Sequence, residues 1–361
     1  MKERAHADRM KTEGMPSAER LSALLKGEPV DRVPFLSFIL GFCARNVGYS
    51  VASIYSDPEK SLQAQIWTKE QYGYDSDPFF GYASYGGYEF GGEIGLPDGQ
   101  YQQAPSHKRF AAEDERAVED LKTPDARTAG MLPLAMRFSQ AQVEHAIAPS
   151  VVLGGPWTVA GNICPVHTLC RWSIRKPELA HRLLRLATDH LVEVVALWVD
   201  SFGAGRVRLQ VWEPLTSNQI VSPKQFEQMI LPYEIEFHEK ILAKGIGHIL
   251  CHICGDQTSN LPRWAEVPMG AHGIVSIGKE VDIIAAADCF GERCIIAGNI
   301  EPSLLQTGTP AEIYELCREA IIKGRRARGG FALMQGCEVP VNSPPYNLYV
   351  MNRAIHDFGQ Y

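Results

Sequence analysis

The stretch GHILCHICGD, residues 247–256, is a continuous apolar run that ends in a cluster of soft metal ligands. A short apolar run of this kind fits a strand buried on both faces, as in a parallel sheet. The same pattern recurs along the chain. Val33–Leu40, Pro78–Tyr82, Ser150–Leu153, Arg206–Trp212, Gly247–Ile253, Gly273–Ile277, Cys294–Ala297 and Phe331–Met334 read as strands with helical patterns between them. Eight strands with intervening helices predict a single (β/α)8 barrel of the α/β class.

Helix signals agree with that alternation. Ser222-Pro223-Lys224-Gln225 and Thr309-Pro310-Ala311-Glu312 are capping boxes with a proline at the first helical position, and Gly324 is the matching stop for the second. Pro232 is expected to kink the helix that the first box opens. Lys176–Phe202 has helical apolar spacing, with Leu183, Leu184, Ala187, Leu191 and Val194 on a core-facing side. The division expected is a polar N-terminal extension, helical in part, at residues 1–20 and the barrel at 21–361.

The 361 residues are enough for a large core, and no low-complexity linker divides them. A formal net charge of −7 argues against a nucleic-acid binder. No run of about 18 apolar residues occurs, so no membrane span is expected. The start, MKERAHADRMKTEGMPSAER, has no apolar core of a secretory signal, and the compartment expected is the cytoplasm. Nine cysteines, an odd number, fit reduced thiols better than a disulfide framework. Cys43, Cys164, Cys170, Cys289, Cys294 and Cys317 read as small buried hydrophobes.

In a barrel of this kind the chemistry sits where strands run out at the C-terminal face. The Gly247–Ile253 strand delivers His252 and Cys254, which at i and i+2 project to one side of an extended backbone. Cys251 is expected to point away from that face and is either inert or an alternative ligand. The Phe331–Met334 strand delivers Cys337, 83 residues beyond Cys254 but opening on the same barrel mouth. One imidazole and two thiolates suit zinc, and three protein ligands leave a fourth position open. Gly255 and Gly336 beside the cysteines give a backbone that turns sharply or approaches closely.

With these residues in view, the chain resembles the uroporphyrinogen decarboxylase superfamily, and within it the zinc-dependent, corrinoid-linked methyltransferases. The resemblance runs from Ser17-Ala18-Glu19-Arg20 and Lys26-Gly27-Glu28-Pro29 through Gly154-Gly155-Pro156-Trp157-Thr158 and Gly298-Asn299-Ile300-Glu301-Pro302. It ends at Gly336-Cys337-Glu338-Val339-Pro340. It implies the barrel fold, a zinc held by His252, Cys254 and Cys337, and methyl transfer between a small substrate and the cobalt of a corrinoid. Phe35–Phe42 is apolar and lacks the arginines with which the decarboxylases hold a porphyrin, so decarboxylation is the disfavoured branch. Glu280 is a weak candidate for a fourth ligand. No Asp-x-His-x-x-Gly corrinoid-carrier stretch occurs, so the corrinoid is expected on a partner protein.

The substrate expected is a methoxylated aromatic or another methyl donor, as in O-demethylase systems. The alternatives are a methyl-corrinoid:thiol transfer of the coenzyme M type, a tetrapyrrole decarboxylase, or a barrel with a purely structural zinc. Glu213, Asn299 and Glu338 stand at strand exits as candidate proton or hydrogen-bond partners. Phe80, Tyr82, Tyr85, Trp157 and Trp212 are candidate walls for an aryl ring or corrin edge. The oligomeric state, a homodimer included, is left open by the sequence.

Overall fold

The computed structural model describes residues 14–99 and 101–361; the greater part of the polar extension lies outside the described residues. Ser17–Leu25 is one helix, so the boundary expected at residue 20 falls inside an element. Arg20 is buried there, paired to Asp31 and to the fully buried Asp75, which ties this helix to the barrel.

Strands β1 (Glu93–Gly95) and β2 (Ser106–Arg109) form an antiparallel hairpin apart from the main sheet. Strands β3 (Ser150–Gly154), β4 (Arg208–Trp212), β5 (Ile249–Ile253), β6 (Gly273–Ile277), β7 (Cys294–Ile300) and β8 (Phe331–Gln335) form a parallel sheet in chain order. β3, β6 and β8 are buried at every residue, as both-face burial in a barrel requires. Helices such as Pro177–Phe202, Leu231–Leu242, Pro310–Gly324 and Pro345–Phe358 pack outside.

The two strands expected at Val33–Leu40 and Pro78–Tyr82 are extended segments rather than strands, and Leu40 already opens the helix Leu40–Asn46. They nevertheless join the two ends of the six-stranded sheet. Leu333 of β8 donates to Pro34 O at 2.9 Å and accepts from Leu36 N at 2.9 Å. Asp75 N donates to Phe35 O, and Ser37 N to Ser76 Oγ. The Gln142 side chain donates to Pro78 O at 2.7 Å and accepts from Ser150 N of β3 at 2.8 Å. Pro34 and Pro78 have no N–H to give to a ladder, and side-chain amides supply the missing rungs. The architecture is the (β/α)8 barrel; its first stave joins β8 by backbone bonds at Leu333, and side-chain amides complete the rungs of the first two staves.

Both capping boxes form. Pro232 is absorbed by a π-helical turn over Phe226–Ile230, just before the helix that contains it, and the expected kink takes this form. All nine cysteines are free. No helix among the described residues is long and apolar enough to cross a membrane.

Candidate metal centre

The register of the sheet places Trp212, His252 and Ser276 side by side on β4, β5 and β6. His252 Nδ1 lies 3.0 Å from Ser276 Oγ, whose hydroxyl is 3.4 Å from Met334 Sδ. With the proton on Nδ1, the ring donates to Ser276 and Nε2 keeps its lone pair. That second nitrogen is buried and has no hydrogen-bond partner. The Phe38 ring meets the imidazole edge to face at 5.7 Å and fixes its plane from the other side.

Cys254 follows β5 directly and Cys337 follows β8 after Gly336. The ligand atoms of His252, Cys254 and Cys337 all lie within 4.8 Å of one another. The Cys254 thiol donates to Cys337 Sγ, which holds Cys337 well below the ordinary thiol range, with the His252 ring adding to the effect; Cys254 is pushed well up by the same contact and by burial. An orphaned, buried imidazole nitrogen facing two coupled sulfurs is a donor set that fits zinc. Glu280 is outside this set, and Cys251 is buried beside Glu213 and Glu234 on the far side of the strand.

Three glycines make the convergence possible. Gly255 has φ +80°, a left-handed conformation that releases the chain from β5. A Cβ on Gly278, after β6, would sit 2.7 Å from Gly255 N; one on Gly336 would sit 3.5 Å from Gly278 Cα. The loops after β5, β6 and β8 therefore stack backbone on backbone, which brings both cysteines together. Gly255 and Gly336 stand out in the sequence; Gly278 and Ser276 do not.

The donor cluster opens on a cavity of about 630 Å³. Phe38, Tyr82 and Trp212 form its aromatic wall, with Phe38 and Trp212 rings 4.6 Å apart. Glu338 lines it too; its Oε1 accepts from Gly41 N at 2.9 Å, and burial pushes the carboxyl up to about 8 against that hydrogen bond. The remaining candidates lie elsewhere. Glu213 is fully buried and accepts from Trp157 N, Thr158 N and Thr158 Oγ1, anchoring the start of the helix Pro156–Ile163. Asn299 donates to Gly278 O and Val281 O and so braces the β6 loop. Trp157 is fully buried, Phe80 packs on Phe138, and Tyr85 bonds His190, so these three belong to the core. Gln103, Ala104, Ser303, Gln306 and Thr307 line the cavity without any sequence signal that singles them out.

The profile of the uroporphyrinogen decarboxylase family matches residues 16–358. A methylcobamide:CoM methyltransferase of Methanosarcina acetivorans is 25% identical over 344 residues, 92% of this chain and 95% of that one. A methylated-thiol–coenzyme M methyltransferase of Methanosarcina mazei is 28% identical over 204 residues, with 56% of this chain and 51% of that one covered. A uroporphyrinogen decarboxylase of Salinibacter ruber is 25% identical over 304 residues, 80% of this chain and 81% of that one. In fold, a solved methyltransferase from Methanosarcina mazei superposes with a TM-score of 0.79 at 22% identity, covering 95% of this chain and 99% of that one.

Proposed function

Because the chain belongs to the uroporphyrinogen decarboxylase family, its soft donor cluster is the discriminating feature, and we propose that it is a zinc-dependent methyltransferase that works with a corrinoid protein. It moves a methyl group between a small substrate and the cobalt of a corrinoid carried by a partner. The substrate is a methoxylated aromatic or another methyl donor, as in O-demethylase systems. The second reading is a methyl-corrinoid:thiol transfer, favoured by the likeness to the methylcobamide:CoM methyltransferase of Methanosarcina acetivorans along nearly its whole length.

The observation that carries this reading is the convergence of His252, Cys254 and Cys337 at the wall of an apolar cavity. Two sulfurs and one imidazole nitrogen select against magnesium and calcium and leave one coordination position to a small molecule. Zinc bound there supplies Lewis acidity, which favours a deprotonated thiol or polarises an ether oxygen. The chain's own residues do the rest of the work. Ser276 and Phe38 fix the plane and tautomer of His252. Phe38, Tyr82 and Trp212 present an apolar wall that orients the substrate and keeps water from it. Glu338, held by Gly41 N–H, places a carboxyl at the cavity edge next to Cys337.

The test is metal analysis with transfer assays. The purified chain is expected to hold one zinc. It should pass a methyl group from methyl ethers or thioethers to cob(I)alamin, or from methylcobalamin to thiols. Cys254→Ala and Cys337→Ala should each lose zinc and transfer with an unchanged circular dichroism spectrum. Full turnover in either variant, or a zinc-free chain that decarboxylates uroporphyrinogen, would refute the proposal.

A further inference from the structure

Resting on the methyl-transfer reading for what the ligand does, we propose that the cavity selects its small substrate by charge. It takes a neutral, largely apolar partner, such as an aryl methyl ether or a neutral thiol. It turns away an anionic one, such as 2-mercaptoethanesulfonate.

Few groups at the cavity could hold an anion. Among the described residues lining it there is no lysine and no arginine. Its one carboxyl, Glu338, brings a negative charge or none. The imidazole of His252 is committed to the donor cluster. Backbone N–H groups are the usual substitute for a cation, above all at a helix start. Two helices begin at this cavity, and each start has a carboxylate beside it: Glu301 stands at the N-cap of Pro302–Thr307 and accepts from Ser303 Oγ at 2.6 Å. The helix Pro156–Ile163 begins at the cavity wall, where Gly154 and Thr158 line it, but Trp157 N–H and Thr158 N–H donate to Glu213 at 2.8 and 3.0 Å. Gly41 N–H donates to Glu338 at 2.9 Å. An entering anion meets neither a positive side chain nor these three backbone donors.

What is left to bind with is neutral. Phe38, Tyr82 and Trp212 give the aromatic wall, and Gln103, Gln306 and Thr307 give uncharged polar groups. A space of about 630 Å³ suits an aryl ring and is poorly filled by a two-carbon thiol. A smaller cleft of about 250 Å³ also borders the two cysteines and is lined by Lys279. That lysine is paired with Glu301, and Glu280 lines the same cleft, so its charge is already matched. An anion forced into the apolar cavity gives up its water without meeting a positive side chain.

The test uses the zinc-loaded full chain and two matched pairs of probes, measured by calorimetric titration. One pair is 2-mercaptoethanol and 2-mercaptoethanesulfonate; the other is 4-methoxybenzyl alcohol and 4-methoxybenzoate. The neutral member of each pair is expected to bind at least tenfold tighter. Gln306→Arg, at an exposed position on the cavity rim, should tighten the anionic members at least tenfold. An anionic probe that binds as tightly as its neutral twin would overturn the proposal. So would sulfonate binding that is lost in Lys279→Ala, or a Gln306→Arg variant with unchanged anion affinity. The same probes offered as methyl donors and acceptors keep the two readings apart. Methyl transfer with a preference for the anions sinks the charge selection alone. A neutral preference in binding with no transfer to or from cobalamin sinks the methyltransferase reading alone.

Discussion

Gly278→Ala tests how the fold assembles the donor cluster without touching a donor. A Cβ at this position would lie 2.7 Å from Gly255 N and 3.1 Å from Gly255 O, with the tip of Glu280 at 2.8 Å. The Glu280 side chain can swing away; the Gly255 backbone cannot. Restoring an ordinary contact of 3.4 Å requires a displacement of about 0.7 Å, the difference between 3.4 and 2.7 Å. Cys254 is the neighbour of Gly255 and moves with it. Zinc–ligand distances tolerate changes of only about 0.2 Å. The substitution should therefore weaken zinc binding roughly 10- to 100-fold, the scale seen when ligand-orienting groups are lost. Overpacking a single methyl should cost global stability only about 1–3 kcal/mol. The assay is competition for zinc against a chromophoric chelator, with a urea melt to confirm folding. Gly205→Ala is the control, since a Cβ there meets nothing within 4 Å. If folded Gly278→Ala binds zinc as tightly as the parent, the glycine stack does not set the position of Cys254.

Two further outcomes follow from the same structure. Ser276→Ala removes the hydrogen-bond partner of His252 Nδ1 and should weaken zinc about tenfold or more, with Ser276→Thr retaining most of the affinity; an unchanged constant in the alanine variant would remove Ser276 from the account. Burial pulls His190 and His238 down to about 4, so both stay neutral in the fold while the unfolded chain protonates them near 6.5. Their contribution is present above the unfolded value and is lost as pH falls towards 4, by up to about 3 kcal/mol each. The urea midpoint should fall across that window, and His190→Asn should flatten the fall; a slope as steep as the parent's would contradict it.

The later strands are legible in the sequence because parallel strands buried on both faces leave continuous apolar runs. His252, Cys254 and Cys337 are legible because each leaves such a run at the same end. The first two staves are misleading for a physical reason. Part of their backbone is satisfied by the side chains of Gln65, Gln142 and Gln335, and residue patterns within a stave carry no trace of that. The cavity wall is only partly readable. Trp212 and Tyr82 line it, yet Trp157, Phe80 and Tyr85 have the same composition signal and face the core. Phe38 looks like any residue of an apolar run until the register shows it against His252. Glu213 at a strand exit suggests chemistry, but its position one residue past β4 places it under the helix start that it anchors.

The central claim is that three protein donors hold one zinc and leave a place for a small molecule. Zinc X-ray absorption on the loaded protein, alone and with a thiol added, tests it most directly. Two sulfurs at about 2.3 Å and nitrogen or oxygen neighbours at about 2.0–2.1 Å are predicted for the protein alone, with a third sulfur appearing when the thiol is present. A shell of four protein ligands that ignores the thiol, or a zinc without sulfur neighbours, would contradict the account.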